Sequence, residues 1–125
     1  MSNLKPLTKD ILDQIEAGQL NWSGISRDYN LTEDFLRANA DNVNWYWISE
    51  CQIISETIIR EFADRLDWDC ICRYQKLSES IIREFADNVN WFWISERQQL
   101  SESFIREFAD NVNWRWISIH QQLSE

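Results

Sequence analysis

Few side chains in this sequence could carry catalysis or metal chemistry. His120 is the single histidine, and Cys51, Cys70 and Cys72 are the three thiols. In Cys70-Ile71-Cys72 one residue separates the thiols, so at helical pitch they point about 200° apart and cannot grip one ion without unwinding. Acid pairs such as Glu84 and Asp87 recur along the chain, whereas a catalytic pair is placed once. No Gly-rich loop, HExxH, GxSxG or Walker-type string is present. We therefore assign no catalytic residue, no metal ligand and no cofactor site, and do not expect an enzyme. An odd cysteine count without a CxxC pair is the pattern of reduced thiols, which predicts a cytoplasmic location.

The aromatic and arginine side chains offer a different chemistry, that of recognition. Eight Trp, six Phe and three Tyr stand against two Gly and one Pro, so there is ample bulky surface to bury and the chain should fold. What places these residues is a repeat. Trp22, Trp45, Trp68, Trp91 and Trp114 are each 23 residues apart, and Ile25, Ile48, Ile71, Ile94 and Ile117 follow three residues later. Gln52, Gln75, Gln98 and Gln121 form a further column, as do Leu31, Ile54, Leu77, Leu100 and Leu123. Residues 79–101 and 102–124 match at 19 of 23 positions. The expected organisation is a single domain over residues 1–125, with residues 1–30 an atypical capping unit and 31–125 the tandem repeats.

Each repeat contains two helix starts. Ser78 is a good N-cap for a helix A in which Ile81, Ile82, Phe85 and Ala86 share one apolar arc, and Leu77 can staple onto Ile82. Asn90 can cap a helix B predicted over residues 91–99, with Val89 stapling onto Ile94. Helices of the predicted 8 to 10 residues fall below the roughly 12 to 15 at which an isolated helix is marginal in water. Stability must come from stacking unit on unit, which predicts an all-α solenoid of short helical hairpins with a 23-residue period.

The repeats also serve as an internal comparison. The columns one, two, five and six residues after the Trp change from unit to unit, and on a helix they lie between roughly 100° and 240° from it, on the outer face of helix B. That face holds Tyr46, Trp47, Phe92, Trp93, Arg97, Arg115 and Trp116, the residue types that dominate protein interfaces. We expect these seven to form a partner-binding strip. The alternative is that Trp47, Trp93 and Trp116 pack between neighbouring helices B. In the last unit Ile119 stands where earlier units carry charge, so Ile119 and Leu123 are expected to support self-association, as a two-fold dimer through the C-terminal repeat.

Charge narrows the partners. Twelve basic against 21 acidic residues give a net −9, which repels a polyanion and disfavours nucleic acid as ligand. Much of it is periodic. Glu33/Arg37/Asp41, Glu56/Arg60/Asp64, Glu79/Arg83/Asp87 and Glu102/Arg106/Asp110 repeat an i, i+4, i+8 stripe on helix A, and with Glu61, Glu84 and Glu107 they hold −7 of the −9. No apolar run approaches the roughly 20 residues of a membrane span, and the charged N-terminus does not read as a secretory signal.

The string Trp-x-x-Ile-Ser-x-x-Gln-x-Leu-Ser-Glu-x-Phe-Ile-Arg-Glu-Phe over residues 91–108, with its repetition across 31–125, resembles the short helical tandem repeats encoded by bacteriophages and large DNA viruses. The resemblance implies a phage- or virus-encoded accessory protein acting in the host cytoplasm. It further implies an inhibitor of host defence, such as the anti-CRISPR proteins, that works by occupying a surface of its target. The expected function is thus a protein-binding repeat scaffold directed at a host defence or nucleic-acid-handling complex. The alternatives are an assembly component that self-associates through its repeat ends and a single-strand binder using helix B aromatics and Arg.

Overall fold

The structure, a computed structural model, describes residues 3–120, with side chains described as far as Ile119. The described residues form ten short α-helices and no strand. The chain divides into two compact units, Met1–Asp67 and Trp68–Glu125. The first holds α1 (Lys9–Glu16), α2 (Trp22–Asp28), α3 (Glu33–Ala38), α4 (Trp45–Cys51) and α5 (Glu56–Glu61). The second holds α6 (Trp68–Tyr74), α7 (Glu79–Glu84), α8 (Trp91–Arg97), α9 (Glu102–Glu107) and α10 (Trp114–His120). Helices A and B alternate with the expected period, and successive helices B lie side by side, α2 with α4 in the first unit and α6, α8 and α10 in series in the second. The fold is an all-α solenoid of stacked hairpins. None of the described helices is long and apolar enough to cross a membrane.

Both predicted helix starts are used. Ser78 Oγ accepts from the Ile81 amide at 3.2 Å, and Asn90 Oδ1 accepts from the Trp93 amide at 3.3 Å, with Ser55, Ser101, Asn44 and Asn113 doing the same in their own repeats. The helices are shorter than the pattern predicted, six residues for α7 and seven for α8. Helix α8 stops at Arg97 rather than running to residue 99, because Gln98 turns extended (φ −95°, ψ 146°) and commits its side chain elsewhere.

That side chain links two repeats through three hydrogen bonds. Gln98 Nε2 donates to the carbonyls of Cys72 at 2.9 Å and Gln75 at 2.8 Å, and its Oε1 accepts from the Leu77 amide at 2.9 Å. In the first unit Gln52 repeats the clasp on the Ser26 and Tyr29 carbonyls and the Leu31 amide. All of these are loose ends of helix B or of the extended segment after it, groups that a short helix cannot bond internally. A second link joins helix to turn: the buried Ser26 and Ser95 hydroxyls accept from the Asn44 and Asn113 amides at 2.9 and 2.8 Å, and Cys72 Sγ accepts from Asn90 at 3.3 Å.

The Trp ruler has a double role. Trp45, Trp91 and Trp114 each donate their indole N–H to an alanine carbonyl five residues back, Ala40, Ala86 and Ala109, at 2.9 to 3.2 Å. The rings of Trp45, Trp68 and Trp91 meet the phenylalanine that ends the following helix A. The centroids lie 4.8 Å apart for Trp45 and Phe62, 5.1 Å for Trp68 and Phe85, and 5.1 Å for Trp91 and Phe108. Beneath this layer the isoleucines of both helices, among them Ile48, Ile58, Ile71, Ile81, Ile94 and Ile117, are fully buried.

The charged stripe differs from its predicted form. Helix A ends before Asp64, Asp87 and Asp110, which fall in the following turn, so the i+8 member of each stripe leaves the helix. The i, i+4 pairs do form, Arg60 with Glu56 at 4.0 Å and Arg106 with Glu102 at 3.9 Å, and shorter ion contacts join neighbouring repeats. Arg37 Nε meets Glu61 at 2.8 Å, and Arg83 grips Glu107 through two bonds of 2.9 and 3.0 Å, against 3.6 Å for the within-helix pair of Arg37 with Glu33.

Replacing Gln98 with Ala leaves two buried carbonyls and one buried amide without their partner. We expect a loss of about 3 kcal/mol or more in urea-induced unfolding, and a negligible change for the exposed neighbour Gln99→Ala.

Candidate interaction surface on the outer face of helix B

In the first unit the outer face presents Tyr46, exposed, edge-on to the half-buried Trp47 at 5.1 Å and 80°. Arg27 of α2 lies 5.6 Å from the Trp47 ring centroid. Its guanidinium is already engaged, bonding Asp28 at 2.9 and 3.0 Å, and this hydrogen-bonded pairing holds the Asp28 carboxyl below its ordinary range. Ile53, in the segment after α4, is 81% exposed.

The second unit carries a richer cluster. Phe92 is 40% exposed and meets two tryptophans edge-to-face, Trp93 at 4.9 Å and Trp116 at 5.7 Å. Two guanidiniums lie over Trp93, those of Arg73 at 4.6 Å and Arg97 at 5.6 Å, and Arg73 is also 5.0 Å from the Tyr74 ring. Arg97 bonds the neighbouring Glu96 at 2.5 Å. Arg115 is exposed and makes no ion pair among the described residues. Trp47, Trp93 and Trp116 are all half-buried, each approached by a side chain of the preceding helix B while part of its ring stays open to solvent.

Of the predicted strip, Tyr46 and Trp47 therefore cluster in the first unit, and Phe92, Trp93, Arg97 and Trp116 in the second, where Arg115 stands exposed on α10. Of the predicted self-association pair, Ile119 is 60% exposed, and Leu123 lies outside the described residues. Sequence reasoning passed over Arg73, Tyr74 and Lys76. With Leu77, Arg97 and Gln99 they line a groove of about 430 Å³ between the segment after α6 and the end of α8. Arg73 and Tyr74 stand in the variable columns and were legible there; Lys76 follows the helix end, where a helical projection has no place for it.

The cysteines are built into the packing. Cys70 and Cys72 are buried on α6 and Cys51 is half-buried on α4. Burial pushes the Cys72 thiol up to about 12, against an ordinary value near 9. No protein-family model, no curated protein and no solved structure matches the chain.

Because the raised value favours the neutral thiol in the folded state, its contribution to stability is complete below pH 9 and is lost as the pH rises from 9 toward 12. Cys72→Ser retains an acceptor for the Asn90 amide, as Ser95 does for Asn113. Denaturant unfolding as a function of pH should show a shallower alkaline decline for the serine variant than for the native chain.

Proposed function

We propose that the chain is a protein-binding repeat scaffold that engages its partner through the outer face of helix B in the second unit. The observation that carries this reading is the cluster of exposed Phe92 with half-buried Trp93 and Trp116, with Arg73 and Arg97 stacked over Trp93. It gathers aromatic rings and guanidiniums at positions the repeats vary, while the Trp, Ile and Gln columns that hold the hairpins together stay constant. Rigid aromatics bound to a stiff stack lose little entropy on docking. The resemblance to phage and viral repeats makes a host defence or nucleic-acid-handling complex the partner of choice, met by occupation of its surface. A second reading, self-assembly, is favoured by Trp114 and Ile119, 47% and 60% exposed on α10.

Affinity capture from a host lysate tests both. The native chain should retain a discrete protein, and alanine at Phe92, Arg97 and Arg115 should lose it at a stability cost of about 1 kcal/mol from the lost ring contacts. Ser80→Ala on helix A should retain it. Retention by the triple variant contradicts the strip. Recovery of the chain's own copies alone, abolished by Ile119→Glu, supports self-assembly, and nuclease-sensitive material supports the single-strand alternative.

A further inference from the structure

The groove beside Trp93 has a charge opposite to that of the chain. In a protein of net −9, Arg73, Lys76 and Arg97 converge on one cleft of about 430 Å³, within the roughly 300–1,000 Å³ span of ligand clefts. Glu96 neutralises Arg97, but neither Arg73 nor Lys76 has a carboxylate partner among the described residues. The corresponding arginine of the first unit, Arg27, is quenched by Asp28, where the second unit has Tyr74. The walls are also fixed in advance, because the buried Gln98 clasp pins Cys72, Gln75 and Leu77 to the end of α8.

The backbone adds a second observation. After α2, the Asn30 amide donates to the Lys5 carbonyl and the Asp28 carbonyl accepts from the Lys5 amide, both at 2.8 Å, so an extended segment pairs along residues 28–30 in parallel register. The equivalent edge after α8 has no such pairing: the Gln99 amide has no hydrogen-bond partner among the described residues.

We propose that this groove binds a short, extended, acidic peptide segment of the partner, its carboxylates meeting Arg73, Lys76 and Arg97 and its backbone running beside residues 97–99. This rests on the protein-binding reading and names the partner's chemistry. Guanidiniums grip carboxylates through paired donors, and their stacking on Trp93 holds Arg73 and Arg97 in place. A long polyanion would extend beyond the groove into the field of the acidic helix A residues, whereas a few carboxylates need only the local charge.

Fluorescence anisotropy with a labelled tetraglutamate peptide, a tetraglutamine control and a hexathymidylate of similar length tests the proposal on the full chain. Saturable tetraglutamate binding is expected, weakened by added salt and absent for tetraglutamine. Arg73→Glu with Lys76→Glu should raise the dissociation constant about tenfold or more. Lys76→Gln, at an exposed loop position, gives the same direction where the double variant does not fold. Absence of saturable tetraglutamate binding, binding unchanged in both variants, or tighter binding of hexathymidylate overturns the proposal. Peptide binding that persists while lysate capture ignores Phe92, Arg97 and Arg115 would retain the groove and reject the broader strip, and the converse result would do the opposite.

Discussion

A helix of six or seven residues leaves most of its backbone donors and acceptors without a partner inside the helix, and the whole structure depends on how those groups are satisfied. Side-chain caps from Ser and Asn supply the amino ends. The carboxyl ends are taken by the next repeat, whose glutamine reaches back to two carbonyls and one amide at once. Within each unit a hairpin is thus completed by its neighbour. The Trp–Phe layer and the Arg37–Glu61 and Arg83–Glu107 bridges reinforce the same junctions, the last two weakly because they are exposed.

This division of labour explains where function can reside. The Trp, Ile, Gln and inner Ser positions are tied to neighbours by geometry, and a change there must preserve its bonds. Cys72 illustrates the limit, since it replaces a serine yet still accepts the Asn90 amide. The positions five, six and eight residues after the Trp carry no such duty. They hold Arg27, Asp28 and Asn30 at the end of α2 and just past it, and Arg73, Tyr74 and Lys76 at the end of α6 and just past it, so a neutral ion pair in one unit becomes two unpaired cations in the other. The positive groove arises in an acidic protein with no alteration of the junction beneath it.

The sequence disclosed the class of fold because the 23-residue ruler and the Ser and Asn starts record local chemistry that each hairpin repeats. It overstated helix length, since a periodicity argument carried Gln98 into helix α8, while the glutamine's bonds to the preceding repeat draw it out. The i, i+4 Glu–Arg pairs it placed within helix A do form, but the shorter bridges to the next repeat escaped it, because i, i+4 spacing is visible in a string and a 24-residue contact is not. The aromatic strip was legible as variation between repeats. Its cationic partner Lys76 was not, because that residue sits on an extended segment whose position depends on the clasp.

The claim that the glutamine clasp couples the hairpins is tested most directly by amide hydrogen exchange at Leu31 and Leu77. These two amides lie outside every helix and donate only to the Oε1 of a glutamine 21 residues away. The account predicts that each is as strongly protected as the buried isoleucine amides of its own unit and opens only with them. Rapid exchange at Leu31 and Leu77, with the helices of the same units still protected, would contradict it.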